Sequence, residues 1–344
     1  MTIAPFRFRG LAILAAGAAL AATLTGCLPN RVVLDLAPSD GELKERQVLA
    51  DREASSSGPK VALIDVTGLI SYEPGGFLIA GRGNAVDDLV ARLDKARKDP
   101  QVRAVILRIN SPGGTVAATE TMYREVMRFR SETSKPVVIS MAEVAASGGY
   151  YLSLAGDKIF AQEATITGSI GVIIQTFNLS KGMSMIGLEA RAVTSGPNKD
   201  MGNPFEPARE SQYQLLQAIV NDFFESFESK VGERRKGLPS DWHTTVADGR
   251  IFTGRQALAV GLVDATGDLH DAFESAKELA KIPKGQLVKY HTDGREPASA
   301  YANAASPVDG PQASSGPGVH LNLNLAESLL PRAGFYYLWL PPSP

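Results

Sequence analysis

The spacing of apolar and polar positions divides the chain into alternating strands and helices. VALIDVTGLI, beginning at Val61, is a near-continuous apolar run that turns at Gly68, a pattern that suits a strand buried on both faces. After the glycine-rich GGFLIAGRG, Asn84 is placed to cap a helix in which Val86, Leu89, Val90, Leu93 and Ala96 recur at helical spacing. Val102 to Ile109 predicts a second buried strand that runs straight into NSPGG, and Thr115 to Arg128 predicts a helix. Strands are expected at 137–140, 158–161, 170–175 and 188–196. A long helix opens at Pro207, where proline is tolerated, with Tyr213, Leu216, Val220, Phe223, Phe227 and Val231 on one stripe. That stripe suits core packing or a subunit contact. Residues 249–264 read as strand or turn, short helix and strand, and a last helix covers 268–281. This alternation predicts an α/β fold, a mostly parallel β-sheet covered by helices.

The flanks differ from this core. Residues 28–59 are polar and charged and predict a tether; the folded domain is expected over 60–283. A linker is expected over 284–318, of low complexity from Gly294 onward, where Ala, Ser, Pro and Gly dominate. The tail, 319–344, begins with the strictly alternating VHLNLNL and continues into FYYLWLPP. Such a tail can add to a sheet edge and fill an apolar groove, in its own domain or a neighbour's, as an internal inhibitor or a cleavable segment. The alternatives are an interfacial membrane contact through the aromatics and disorder.

Composition narrows the partners. With 344 residues, 44% of them apolar, the chain can bury a full core, and a net charge of −2 gives no case for binding nucleic acid. The four histidines, His243, His270, His291 and His320, are scattered, so no metal site and no cofactor are expected. The single cysteine, Cys27, precludes a disulfide within the chain. Upstream of it lie Arg7, Arg9 and the apolar LAILAAGAALAAT, too short for a comfortable membrane span. With LTGC this segment resembles a bacterial lipoprotein signal over 1–27, with Cys27 as the lipid-bearing residue and membrane anchor. A plain signal peptide or short anchor is the alternative; each reading exports the protein. Leu28 carries no acidic retention signal, which leans towards the outer membrane.

Candidate chemistry lies at the small-residue turns. Ser147, between an apolar strand and the helix-compatible YYLSLAG, is placed where a nucleophile is exposed beside backbone N–H groups. A tightly packed turn explains the same residues. Asn110-Ser111-Pro112-Gly113-Gly114 also ends a buried strand, and glycine N–H groups there can bind an oxyanion. No histidine is near these turns. A lysine kept neutral by burial can replace it as base, and the candidate is Lys199 in SGPNKDMGNPFEP. A solvated loop lysine is the alternative, and the carboxylate of Asp200 must point away if Lys199 is a base.

RINSPGG, AASGGYY, TGSIGV and SGPNKDMGNPF, in this order, resemble the bacterial signal peptide peptidase family of Ser–Lys proteases, and more distantly the Clp protease and crotonase fold. The resemblance spans about Lys60 to Lys281. It implies that Ser147 is the nucleophile, Lys199 the general base and Ser169 a serine that orients the lysine. It matches Gly114 to the backbone oxyanion donor, and the Gly148 N–H can supply a second. Ser169 as nucleophile, with Ser147 structural, is the competing assignment. The implied activity is serine endopeptidase action on remnant signal peptides or other unfolded apolar peptides, bound extended. Because serine and lysine motifs fall in one half-length unit, the resemblance implies a homo-oligomer with sites assembled near subunit contacts, the helix from Pro207 being a candidate contact. A non-catalytic envelope scaffold and a crotonase-like acyl-CoA enzyme are the alternatives. An exported protein meets little CoA, and no acidic pair stands near the SPGG turn.

Overall fold

The computed structural model describes residues 42–55, 57–73, 84–292, 296–302 and 334–339 in one unit, and Arg31–Val32 and Leu321–Asn322 in a second. The second unit contributes β1 (Arg31–Val32) and β12 (Leu321–Asn322), an antiparallel pair. In the first unit the strands are β2 (Lys44–Ala50), β3 (Lys60–Thr67), β4 (Val102–Ser111), β5 (Gly113–Thr115) and β6 (Val137–Ala146). They continue with β7 (Lys158–Ala161), β8 (Ile166–Gly168), β9 (Ile251–Thr253), β10 (Ala265–Thr266), β11 (Gln286–His291) and β13 (Tyr336–Leu338). Helices α1 (Ala85–Lys98), α2 (Val116–Thr133), α3 (Gly148–Ser153) and α4 (Ser180–Met185) precede α5 (Glu210–Arg234), α6 (Trp242–Thr245), α7 (Gly254–Ala259) and α8 (Leu269–Ala280).

The main sheet runs β10-β7-β6-β4-β3-β11-β2, with β8 paired to β6 and β9 paired to β8. Its pairs are parallel except β2 with β11 and β8 with β9. This is the expected mostly parallel sheet covered by helices. Side chains alternate across each strand, so Ala62, Ile64 and Val66 of β3 join a core beneath α1, α2 and α3, whereas Val61 and Leu63 meet Leu269, Ala272 and Phe273 of α8. Both faces of the central strands are therefore apolar. Asn84 caps α1 as expected, its side chain accepting from the N–H groups of Val86 and Asp87 at 3.0 and 2.9 Å.

Several expectations are corrected. Lys44–Ala50 is an edge strand rather than tether, and Gln286–His291, placed in the linker, is a fully buried strand between β2 and β3. Their polar residues hide this: Lys289 is buried, pairs with Asp65 at 2.5 Å, and donates to the carbonyls of Ala300 and Ala302 at 3.1 and 2.6 Å. No strand forms over 188–196, which is exposed and irregular, and 170–175 contributes one bridge, Ile173 to Tyr336. The long helix begins at Glu210 rather than Pro207. Its stripe also divides: Phe227 and Val231 are buried, while Tyr213 is exposed. In the tail, Tyr336–Leu338 pairs with β5, and within VHLNLNL the described residues Leu321–Asn322 pair with β1 in the separate unit. Cys27 and the signal segment lie outside the described residues.

Burial pushes the Lys289 ammonium below the usual lysine range, with Asp65 opposing the shift. Removing one partner of such a pair strands the other. Lys289→Met is therefore expected to cost about 3 kcal/mol, read as a lower urea midpoint; an unchanged midpoint would show the pair to be dispensable.

Candidate active site

β6 is longer than β7, its neighbour on one side. Its first half pairs with β7 from Val138 to Met141, and its end pairs with β8 from Val144 to Ala146. The strand thus carries Ser147 beyond the β7 edge of the sheet, to the same end where β4 delivers Ser111. Carboxyl ends of parallel strands converge on a shared crevice.

Ser147 has φ 52° and ψ −112°, a conformation uncommon for a residue with a Cβ. Two backbone bonds hold it there: its N–H donates to Gly168 O at 2.8 Å, and its carbonyl accepts from Tyr151 N at 2.8 Å. The residue is 1% exposed and its Oγ has no hydrogen-bond partner among the described residues. A buried hydroxyl without a partner is costly. Its location at a sharp strand-to-helix turn is that of a nucleophile elbow.

The SPGG turn is braced against this residue. Ser111 Oγ donates to Gly68 O at 2.6 Å and accepts from Gly113 N at 3.1 Å. Asn110 Oδ1 accepts from Val144 N at 3.0 Å, tying β4 to β6 just before Ser147. Gly113 has φ 110°, and a Cβ there would fall 2.8 Å from Gly148 N; one on Gly114 would fall 1.8 Å from Ile70 O. Gly148 in turn has Gly114 N and Gly113 Cα within 3.1 Å of where its Cβ would be, and Thr119 Oγ1 within 2.7 Å. Only glycine permits this backbone contact. Among the described residues Thr119 Oγ1, buried on α2, has no hydrogen-bond partner.

Ser169 is buried next to Ser147: its N–H donates to Arg250 O at 2.8 Å, and Gly168 before it receives the Ser147 N–H. Ser147, Gly148, Gly113, Gly114 and Ser169 therefore form one neighbourhood. Among the described residues no hydrogen bond joins Lys199 to it. Lys199 lies exposed in a turn closed by its N–H to Gly196 O at 3.2 Å. Asp200 is turned to other partners: Gln212 Nε2 donates to it at 3.1 Å, and Arg209 pairs with it. Desolvation works against the ionised form, but the Gln212 bond, the local backbone and Arg209 hold this carboxyl below the usual range.

Sequence reasoning missed Ser111, Asn110 and Thr119. NSPGG named the first two only as a strand end, and nothing in helical spacing distinguishes Thr119 from a core threonine. It also missed that Tyr151 forms the base of an aromatic cluster with Phe227, Tyr123 and Tyr337.

If the Ser147 backbone is held under strain, glycine should relieve it. Ser147→Gly is expected to raise the melting temperature by about 2 °C or more, from roughly 1 kcal/mol of released strain. Melting at or below wild type would show that no strain is stored there.

A family model described as Peptidase family S49 matches residues 130–283. "Putative signal peptide peptidase SppA" of Enterococcus faecium is 32% identical over 241 residues, 70% of this chain and 70% of that protein. The chloroplastic serine protease SPPA of Arabidopsis thaliana is 35% identical over 230 residues, 67% of this chain and 34% of that one. Protease 4 of Salmonella typhi is 37% identical over 212 residues, 61% of this chain and 34% of that one. The chain thus spans about a third of the two longer relatives.

Proposed function

The chain belongs to peptidase family S49, and from that premise we propose that it is a membrane-tethered serine endopeptidase using a Ser147–Lys199 dyad. The observation that carries this reading is the buried, unpartnered Ser147 Oγ at a strained strand–helix junction, with two glycine amides beside it.

In this reading the Lys199 amine takes the Ser147 proton, and the alkoxide attacks a peptide carbonyl of a substrate bound extended. The N–H groups of Gly114 and Gly148 hold the oxyanion, Lys199 returns the proton to the leaving amine, and water releases the acyl group. Ser169, adjacent to Ser147 through Gly168, orients the lysine. The substrates are remnant signal peptides and other unfolded apolar peptides, and Cys27 carries the lipid that holds the enzyme to the envelope, on the outer membrane side.

Lysine is a base only when its amine is neutral, which takes burial. The exposed loop of one chain does not provide this. Around that loop Met185 is 87% and Val193 98% exposed, with Leu179, Ile186 and Leu188 also uncovered. Contiguous apolar exposure of this kind marks a contact surface. In the proposed homo-oligomer this surface is covered by a second copy, and the lysine of one chain serves the serine of another.

Ser147→Ala and Lys199→Ala are each expected to lower peptide hydrolysis by about a thousandfold or more without unfolding the protein. Mixing the two inactive proteins and letting subunits exchange should restore part of the activity. Activity retained in Ser147→Ala but lost in Ser169→Ala would move the nucleophile. A mixture that stays inactive despite subunit exchange would place both residues of a working site in one chain.

A further inference from the structure

Lys199 lies within 186–209, a stretch without helix or strand. The bonds inside its turn are local: Lys199 N donates to Gly196 O at 3.2 Å, Met201 N to Asn198 O at 3.3 Å, and Asn203 N to Asp200 O at 2.9 Å. Bonds between residues three apart shape a turn without fixing where it stands in the fold. Among the described residues, the hydrogen bonds and ion pairs that tie 196–203 to a regular element come from the start of α5. Gln212 Nε2 donates to Pro197 O at 3.0 Å and to Asp200 Oδ1 at 3.1 Å. These two acceptors flank Lys199, so one amide spans the turn with both of its N–H groups in use. Arg209, just before the helix, pairs with the same carboxylate.

The two ties differ in weight. The Arg209 side chain is 42% exposed, and an exposed ion pair contributes little. Gln212 is 6% exposed, so water does not replace the bonds it would lose. At its other end α5 is braced on α3, the short helix that opens directly after Ser147. Phe227 packs edge-on to Tyr151 with ring centres 5.0 Å apart. Arg234 donates to Leu154 O at 2.8 Å and to Gly156 O at 2.9 Å. From Gln212 to Phe227 the helix covers about 22 Å. A single rod therefore holds the lysine turn at one end and rests on the nucleophile's helix at the other.

We propose that Gln212 is a positioning residue for the general base: its amide locks the Lys199 turn onto α5, and the braced helix fixes where that turn is presented. The proposal rests on the reading of Lys199 as base. Gln212 touches no reacting atom. It acts by holding the backbone on both sides of the lysine, where a misplacement of about 1 Å is enough to slow proton transfer severely.

The test is Gln212→Met in the full chain, which keeps the length of the side chain and removes both donors. With fluorescein-labelled casein as an unfolded substrate, kcat is expected to fall about tenfold while KM stays within about twofold, with the oligomeric state unchanged by light scattering. Amide hydrogen exchange over 196–203 is expected to quicken about tenfold. In a Lys199→Ala background the same substitution should leave the rate of fluorophosphonate labelling of Ser147 unchanged, because a residue that acts only through the lysine has nothing left to position. If Gln212→Met fails to fold, Gln212→Glu keeps the shape, removes the donors and faces Asp200 with a like charge; its kcat is expected to fall more than about tenfold. Unchanged kcat or unchanged exchange in the variant, a loss carried by KM, a dissociated assembly, or a further slowing in the Lys199→Ala background would overturn the proposal while Lys199→Ala itself remains inactive. Full activity in Lys199→Ala would instead sink the dyad, and the proposal with it.

Discussion

Where the turn Ser111–Gly114 meets the start of α3, two backbones approach so closely that neither tolerates a Cβ. A Cβ on Gly113 would fall 2.8 Å from Gly148 N, and one on Gly148 would fall 3.1 Å from Gly114 N. This contact requires β4 and β6 to end side by side, which the parallel register and the Asn110–Val144 bond ensure. It also requires Ser147 to turn sharply, which costs a positive φ. The rest of the core serves that arrangement: apolar residues on both faces of β3 and β4 hold the strands, and Tyr151 anchors the short helix into the aromatic cluster. Burial pushes the Tyr151 phenol up to about 12, so it stays neutral there.

A single chain builds half of the chemistry in this account. Ser147, the proposed nucleophile, is buried near Gly114, Gly148 and Ser169, whereas Lys199 lies on an exposed loop flanked by uncovered apolar residues. The two observations point the same way. The buried Ser147 hydroxyl lacks a partner among the described residues, and in the proposed homo-oligomer a second copy covering the loop would bring the lysine to it.

Much of this was readable from residue order, and the failures have physical causes. The central strands, the caps and the Ser147 turn follow from local pattern, since apolar runs and small-residue turns encode them directly. β11 was missed because its polar residues are neutralised inside the fold: Lys289 reads as solvated until Asp65 is placed against it. β2 was missed because an edge strand needs only one apolar face. The expected strand at 188–196 has a suitable composition, yet no sheet edge among the described residues takes it up, and its residues are mostly exposed. In the tail, the aromatic FYYL pairs with β5, where ring burial against Tyr151 and Phe227 holds it, a pairing that period-two alternation does not signal. Ser147 is preferred to Ser169 because its Gly-Gly-Tyr-Tyr continuation suits a helix N-terminus, and in the structure both serines have positive φ. They differ in company: Ser147 alone is followed by an amide that meets the SPGG turn.

The claim that Ser147 is a working nucleophile is tested most directly by a serine-directed fluorophosphonate probe on the assembled protein, with the modified residue mapped by mass spectrometry. The account predicts a single adduct on Ser147, absent in Ser147→Ala and strongly slowed in Lys199→Ala. An adduct on Ser169, or labelling of Ser147 that is indifferent to Lys199, would contradict it.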